Sequence, residues 1–127
     1  MTSILRIAMI MMVMLLAPSS AMSWTVTVVN NSTMYVDVIP NTVNPGGASG
    51  GQDCPKVRVA PNGNAASDCG ANAYTCPSGV GVSASNYSSM IASKWCPITA
   101  NEACGNVTVT LVNGPFGCPE IGSWQKK

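Results

Sequence analysis

The chain opens with an unbroken apolar run from Ile7 to Ala17, behind a single positive charge at Arg6. The run is shorter than the ~18–20 residues that a spanning helix needs, and small residues follow it. Ala21-Met22-Ser23 fits a small-x-small cleavage rule. Residues 1–23 therefore read as a secretory signal, cut before Trp24 or after Ala21, and residues 24–127 as one secreted domain.

Beyond the signal the pattern changes to short alternating stretches. Trp24-Thr25-Val26-Thr27-Val28-Val29 and Thr33-Met34-Tyr35-Val36-Asp37-Val38-Ile39 flank Asn30-Asn31-Ser32. Asparagine tolerates positive φ, so residues 24–39 predict a β-hairpin that stops at Pro40. Period two places Met34, Val36 and Val38 on one face and Tyr35, Asp37 and Ile39 on the other. Residues 40–53 predict a loop. Lys56 to Ala60 predicts a short edge strand, its charges facing outward. Residues 61–82, rich in Gly, Asn, Ala and Ser, predict an irregular segment held by Cys69 and Cys76. Tyr87, Met90, Ile91 and Trp95 recur at helical spacing, predicting a helix over 85–95 that Ser85 caps and Pro97 stops, with Trp95 in the core. Asn106 to Asn113 predicts the clearest strand. Its Thr-Val-Thr-Leu-Val-Asn repeats the Thr25–Asn30 hexapeptide with a single Leu-for-Val change. Either two strands drew on one alphabet of β-formers, or the two occupy neighbouring places in one sheet.

The six cysteines sharpen this picture. Cys54, Cys69, Cys76, Cys96, Cys104 and Cys118 are each followed by proline or glycine. An even count in a small secreted chain reads as three disulfides of open connectivity. A proline directly after a cysteine biases that cysteine to extended backbone, so the staples belong at strand ends and loop bends. The fold class expected is α+β or mostly β: a mainly antiparallel sheet of four or five strands, one short helix and three disulfides.

Charge and chemistry mostly exclude. The chain carries 6 Lys/Arg against 5 Asp/Glu, and loss of Arg6 with the signal leaves a net charge of zero. No basic block suggests a nucleic-acid partner, and no stable membrane insertion is expected once the signal is gone. With no histidine and no C-x-x-C, neither a Ser-His-Asp triad nor a zinc site is expected, and the cysteines are expected to be oxidised. Five carboxylates remain (Asp37, Asp53, Asp68, Glu102 and Glu120), without a diagnostic spacing. No cofactor, metal or catalytic residue is predicted.

Binding chemistry is the remaining option. Tyr74 and Trp124, near a cysteine and near the free end, are the candidate ligand contacts. Asn30, Asn31, Asn86 and Asn106 begin glycosylation sequons, with the 30–31 turn the favoured acceptor. Val29-Asn30-Asn31-Ser32-Thr33-Met34-Tyr35-Val36 resembles the opening of thaumatin-like proteins. Ser32 stands where that family has cysteine, so the resemblance implies no site residue. The function expected is a secreted, non-enzymatic protein of toxin, defence or effector type that binds an unknown extracellular protein or glycan. Its alternatives are a carbohydrate- or cell-wall-binding module and, third, a small carboxylate-dependent hydrolase. Sequence leaves the oligomeric state open.

Overall fold

The computed structural model describes residues 24–43, 52–70, 76–100 and 103–126. The signal, Tyr74 and Glu102 lie outside the described residues. The described chain is mostly strand: β1 (Thr25–Asn30), β2 (Tyr35–Val43), β3 (Gln52–Asp53), β4 (Val57–Val59), β5 (Asn64–Asp68), β6 (Cys76–Ser85), β7 (Lys94–Thr99), β8 (Val107–Asn113) and β9 (Pro119–Lys126). A single 3-10 turn spans Pro115–Gly117.

The strands form two sheets, not the one sheet of four or five strands expected, because the apolar face of a single sheet needs a second layer to cover it. One has the order β5-β1-β8-β9, and the other runs β3-β2-β6-β7, with β4 also paired to β2. Val26, Val28, Val109 and Leu111 of the first sheet share one buried cluster with Val36, Val38, Val59, Val80, Val82 and Ala84 of the second. The result is a β-sandwich, built by alternation: Val26 and Val28 of β1, Val36 and Val38 of β2, Val80 and Val82 of β6, and Val107, Val109 and Leu111 of β8 all turn inward. The predicted alternation and the edge strand around Arg58 agree with this arrangement.

Four further expectations need correction. First, β1 and β2 do not pair with each other. β1 pairs antiparallel with β5 and parallel with β8, whereas β2 pairs with β3, β4 and β6. Residues 31–34 form an arch between sheets, since both strands have an apolar face to bury and facing sheets bury both. Second, Pro40 does not end β2. Its carbonyl accepts from the Cys54 N–H (2.7 Å), so its ring nitrogen faces the β3/β4 edge between those two short strands. The missing N–H thus costs no bond to β6. Third, the segment expected to be irregular holds β5 and most of the central strand β6. Fourth, no helix spans 85–95. Residues 86–93 form bends and turns, and Trp95 is in β7. β9 is a strand in a stretch where none was predicted.

The repeated hexapeptides are neighbours. β1 and β8 pair in parallel, with Thr27 beside Thr108 and Val28 beside Val109. The register is offset by two from the sequence match, an even shift that keeps valines inward and threonines outward on both.

The disulfides join Cys54 to Cys69, Cys76 to Cys104 and Cys96 to Cys118. Cys54–Cys69 and Cys96–Cys118 each link a segment of one sheet to a segment of the other, and Cys76–Cys104 ties the start of β6 to the β7–β8 connection. Five cysteines sit at strand ends or in loops, as expected. Cys96 is instead inside β7, an edge strand, where the following Pro97 is tolerated.

Candidate functional site

Three turns meet at one end of the sandwich. The Asn31 N–H donates to the Leu111 carbonyl (2.8 Å), and the Thr33 N–H donates to Asn113 Oδ1 (3.0 Å). Tyr35 pairs with Ser85, the last residue of β6. The 31–34 arch, the 86–93 loop and the 114–118 turn therefore share this end. The opposite end holds Trp24, Cys69, Asn106 and Lys126.

The 86–93 loop folds locally over Met90. Ser85 Oγ accepts from the Tyr87 N–H (3.0 Å), and the Met90 N–H donates to the Tyr87 carbonyl (3.1 Å). Met90 has φ 57° and is buried, whereas Tyr87 and Ile91 are 65% and 90% exposed. The helical stripe read from the sequence is thus split, with one member inside and three outside.

The 114–118 turn is held more tightly. Gly114 N–H donates to the Cys118 carbonyl (3.0 Å), and Cys118 N–H donates to the Pro115 carbonyl (3.3 Å). Lys94 Nζ reaches from the neighbouring hairpin to the Phe116 carbonyl (2.6 Å), and the Cys96–Cys118 disulfide ties the same two segments. Phe116 has φ 61° and ψ 27°, a left-handed conformation that a bulky residue adopts at a cost. Its side chain is nonetheless 89% exposed. A strained backbone that presents an aromatic ring to water contributes nothing to the core.

Below this tip, Trp95 lies on the outer face of the β2-β6-β7 sheet and is 56% exposed, not in the core. Its indole covers Gly81, where a Cβ would collide with Trp95 Cη2. In the same row of that face lie Ser83, Asp37 and Arg58. Arg58 forks onto Asp37, Nε to Oδ1 at 2.8 Å and Nη2 to Oδ2 at 3.0 Å, and Lys56 Nζ stands 3.9 Å from Oδ2. The Arg58 hydrogen bond holds the Asp37 carboxyl below its ordinary range against an opposing effect of burial, with the Arg58 and Lys56 charges adding to the lowering. The Arg58 guanidinium is in turn raised.

The predicted site residues fall in different places. Trp124 is half-buried against the core, with Nε1 enclosed and without a hydrogen-bond partner. It is not the free surface ring that its place near the chain end suggested. Asn30 is fully buried. Its Nδ2 donates to the carbonyls of Met34 (2.8 Å) and Val59 (3.2 Å), and its Oδ1 accepts from Ser32 N–H (3.0 Å) and Oγ (2.6 Å). A glycan on Asn30 is incompatible with this fold. Asn31, Asn86 and Asn106 are exposed, although Asn106 Oδ1 accepts from the Thr25 N–H (2.9 Å). Asp53, Asp68 and Glu120 are exposed, and Asp68 Oδ1 accepts from the Gly70 N–H (2.9 Å). Among the described residues no group of three or more Cys, Asp and Glu is placed to hold a metal ion.

The tip was missed because helical spacing was taken to mean burial. One sequence signal points the other way: the serines around Tyr87, Met90 and Ile91 make a poor helix.

No known family model matches the chain, and no curated protein matches it. Among solved structures, one named "Trapped Toxin" is similar over 83% of this chain, with a TM-score of 0.43 and 6% identity. The likeness spans 24% of that structure's chain and is too loose to carry an argument.

Proposed function

We propose that this small disulfide-rich β domain is an extracellular, non-enzymatic binding protein whose contact surface is the tip formed by Tyr87, Ile91 and Phe116. One observation carries the reading. The exposed large apolar side chains of the described residues are Tyr87, Ile91, Trp95 and Phe116, and all belong to the β6–β7 hairpin and the turn stapled to it. Scattered surface apolar groups need no explanation, but a gathered set marks an interaction site. Among the described residues no helix is long and apolar enough to cross a membrane.

Labelled mature protein, titrated onto intact cells, tests this. Ile91→Asn combined with Phe116→Asn is expected to lower apparent affinity at least tenfold, with an unchanged far-UV spectrum. Binding that survives the double change would remove the tip as the contact surface.

Glycan binding is the second reading, and the Trp95 indole favours it. One face lies against Gly81 and the residue is half exposed, the geometry of a stacking platform beside polar groups. On a glycan array, Trp95→Ala is expected to remove the signal while the tip variants retain it. An array blank with the unaltered protein would dismiss the reading.

A further inference from the structure

Resting on the tip as contact surface, we infer that its occupant is the interfacial layer of a lipid bilayer, entered reversibly by Ile91 and Phe116. The shape of the tip comes first. Ile91 and Phe116 are 90% and 89% exposed on two separate turns, so each side chain stands clear of the protein. A folded partner encloses such a group only with a pocket already cut to fit it. Acyl chains and headgroups enclose any convex shape.

Charge comes second. No aspartate or glutamate occurs from residue 69 to 101 or from 103 to 119, so the whole β6–β7 hairpin and the stapled turn lack acids. The nearest flanking acid is Glu120, at the base of the turn in β9. Lys94 is the cation of the tip and suits phosphate headgroups. Asn31, Asn86 and Asn113 add neutral polar groups at the same end. A carboxylate would resist leaving water, and none must do so here.

Backbone chemistry comes third. Hydrocarbon supplies no hydrogen bonds, so an entering turn must satisfy its own groups. The carbonyls of Pro115, Phe116 and Cys118 all accept hydrogen bonds within the protein, from Cys118 N–H, Lys94 Nζ and Gly114 N–H. Proline at 115 has no N–H to bury. The disulfide and the left-handed Phe116 hold the turn ready, so entry costs little ordering. Tyr87 and Trp95 lie on either side of Ile91 along the chain, both are exposed, and both residue types favour the headgroup layer.

The depth is that of a peripheral contact. Two side chains give weak, reversible binding, and several molecules or a second signal would be needed for lasting attachment.

Flotation of the mature, disulfide-intact protein with vesicles tests the inference, using phosphatidylcholine alone and phosphatidylcholine with phosphatidylserine. The protein is expected to float with both, a few-fold better with the anionic mixture. Phe116→Asn keeps a residue that tolerates positive φ and is expected to cut the partition coefficient roughly tenfold or more, as is Ile91→Asn. Flotation should vanish in the double variant. No flotation of the unaltered protein, or flotation unchanged in the double variant, overturns the inference. If vesicles are not bound while cell binding is lost in the double variant, lipid is wrong and the tip docks a protein. If cell binding also survives that variant, the tip itself is not the contact surface. A concentration-dependent dimer abolished by Phe116→Asn would assign the tip to a second copy of the chain and likewise overturn the lipid reading.

Discussion

Both Nδ2 hydrogens and both Oδ1 lone pairs of Asn30 are used inside the molecule, and its backbone N–H and C=O bond to Gly63 and Asn62. Its side chain thus joins the end of β1 to the arch and to β4, and its backbone joins the same point to the β4–β5 connection. Asn30→Ala is expected to cost roughly 2–4 kcal/mol, because it removes four hydrogen bonds, among them those to the buried Val59 carbonyl and to Ser32. A denaturant midpoint that barely moves would show that the arch holds without it. The triplet Asn30-Asn31-Ser32 signalled a sequon and a turn; the turn is present, but the first asparagine points inward. A triplet cannot report burial, since the strands that enclose Asn30 come from residues 59 to 63. Asp37 gives the pH response. Its folded-state carboxyl is lowered, so the pair with Arg58 stabilises the fold fully above the ordinary aspartate range, near 3.8. That stability is lost as pH falls from there through the lowered folded-state value. Asp37→Asn is expected to flatten this acid limb of stability while leaving its slope near neutral pH unchanged. An acid limb identical in the variant would assign it to other carboxylates.

At the scale of elements, alternation was legible and pairing was not. β1, β2, β4 and β8 all stand where period two places strands, and the residues it groups on one face stay together. Residues 79–85, Gly-Val-Gly-Val-Ser-Ala-Ser, alternate as strictly as any, and Val80, Val82 and Ala84 are buried. The Gly, Asn, Ala and Ser content predicts an irregular segment through residue 82, whereas in β6 Gly81 clears space for a ring from the next strand. The four-member stripe over 87–95 had the opposite fault. It matches a helix by spacing, but a turn and a strand deliver Met90 inward and Trp95 outward just as well. Gly81→Ala is expected to lift the indole from the sheet, raising acrylamide quenching of Trp95 in a variant whose other tryptophans are phenylalanine. Destabilisation should be about 1–3 kcal/mol. Unchanged quenching would mean that the ring does not rest on Gly81.

For the whole molecule, two of the three staples, Cys54–Cys69 and Cys96–Cys118, bridge segments of the two sheets, and the third ties the start of β6 to the β7–β8 connection. The cysteine-free N-terminal strands are tied in by their neighbours: Cys54 N–H bonds to the Pro40 carbonyl, and Cys69 N–H to the Trp24 carbonyl. Replacing Cys54 and Cys69 together by alanine reopens a 15-residue separation and is expected to cost roughly 3 kcal/mol. Chemical denaturation reads the loss directly. An unshifted midpoint would mean that the sandwich core alone sets the stability. The Cys96–Cys118 bridge has a second task, since it brings the Phe116 turn beside the Lys94 hairpin and so assembles the tip.

Local pattern by itself determined that this is a small β-rich chain with three disulfides, and which residues of most strands share a face. Those properties depend on neighbours along the chain: side chains alternate with a period of two, and cysteines in such a chain pair. Tertiary structure alone decided that β1 and β2 lie in different sheets, that the two similar hexapeptides run side by side, that Asn30 is inside, and that Trp95 and Phe116 are outside. Each of these depends on what covers a face, and the covering residues lie tens of positions away. Period two says which side chains point together, but only the packing of one sheet on the other says which way is in.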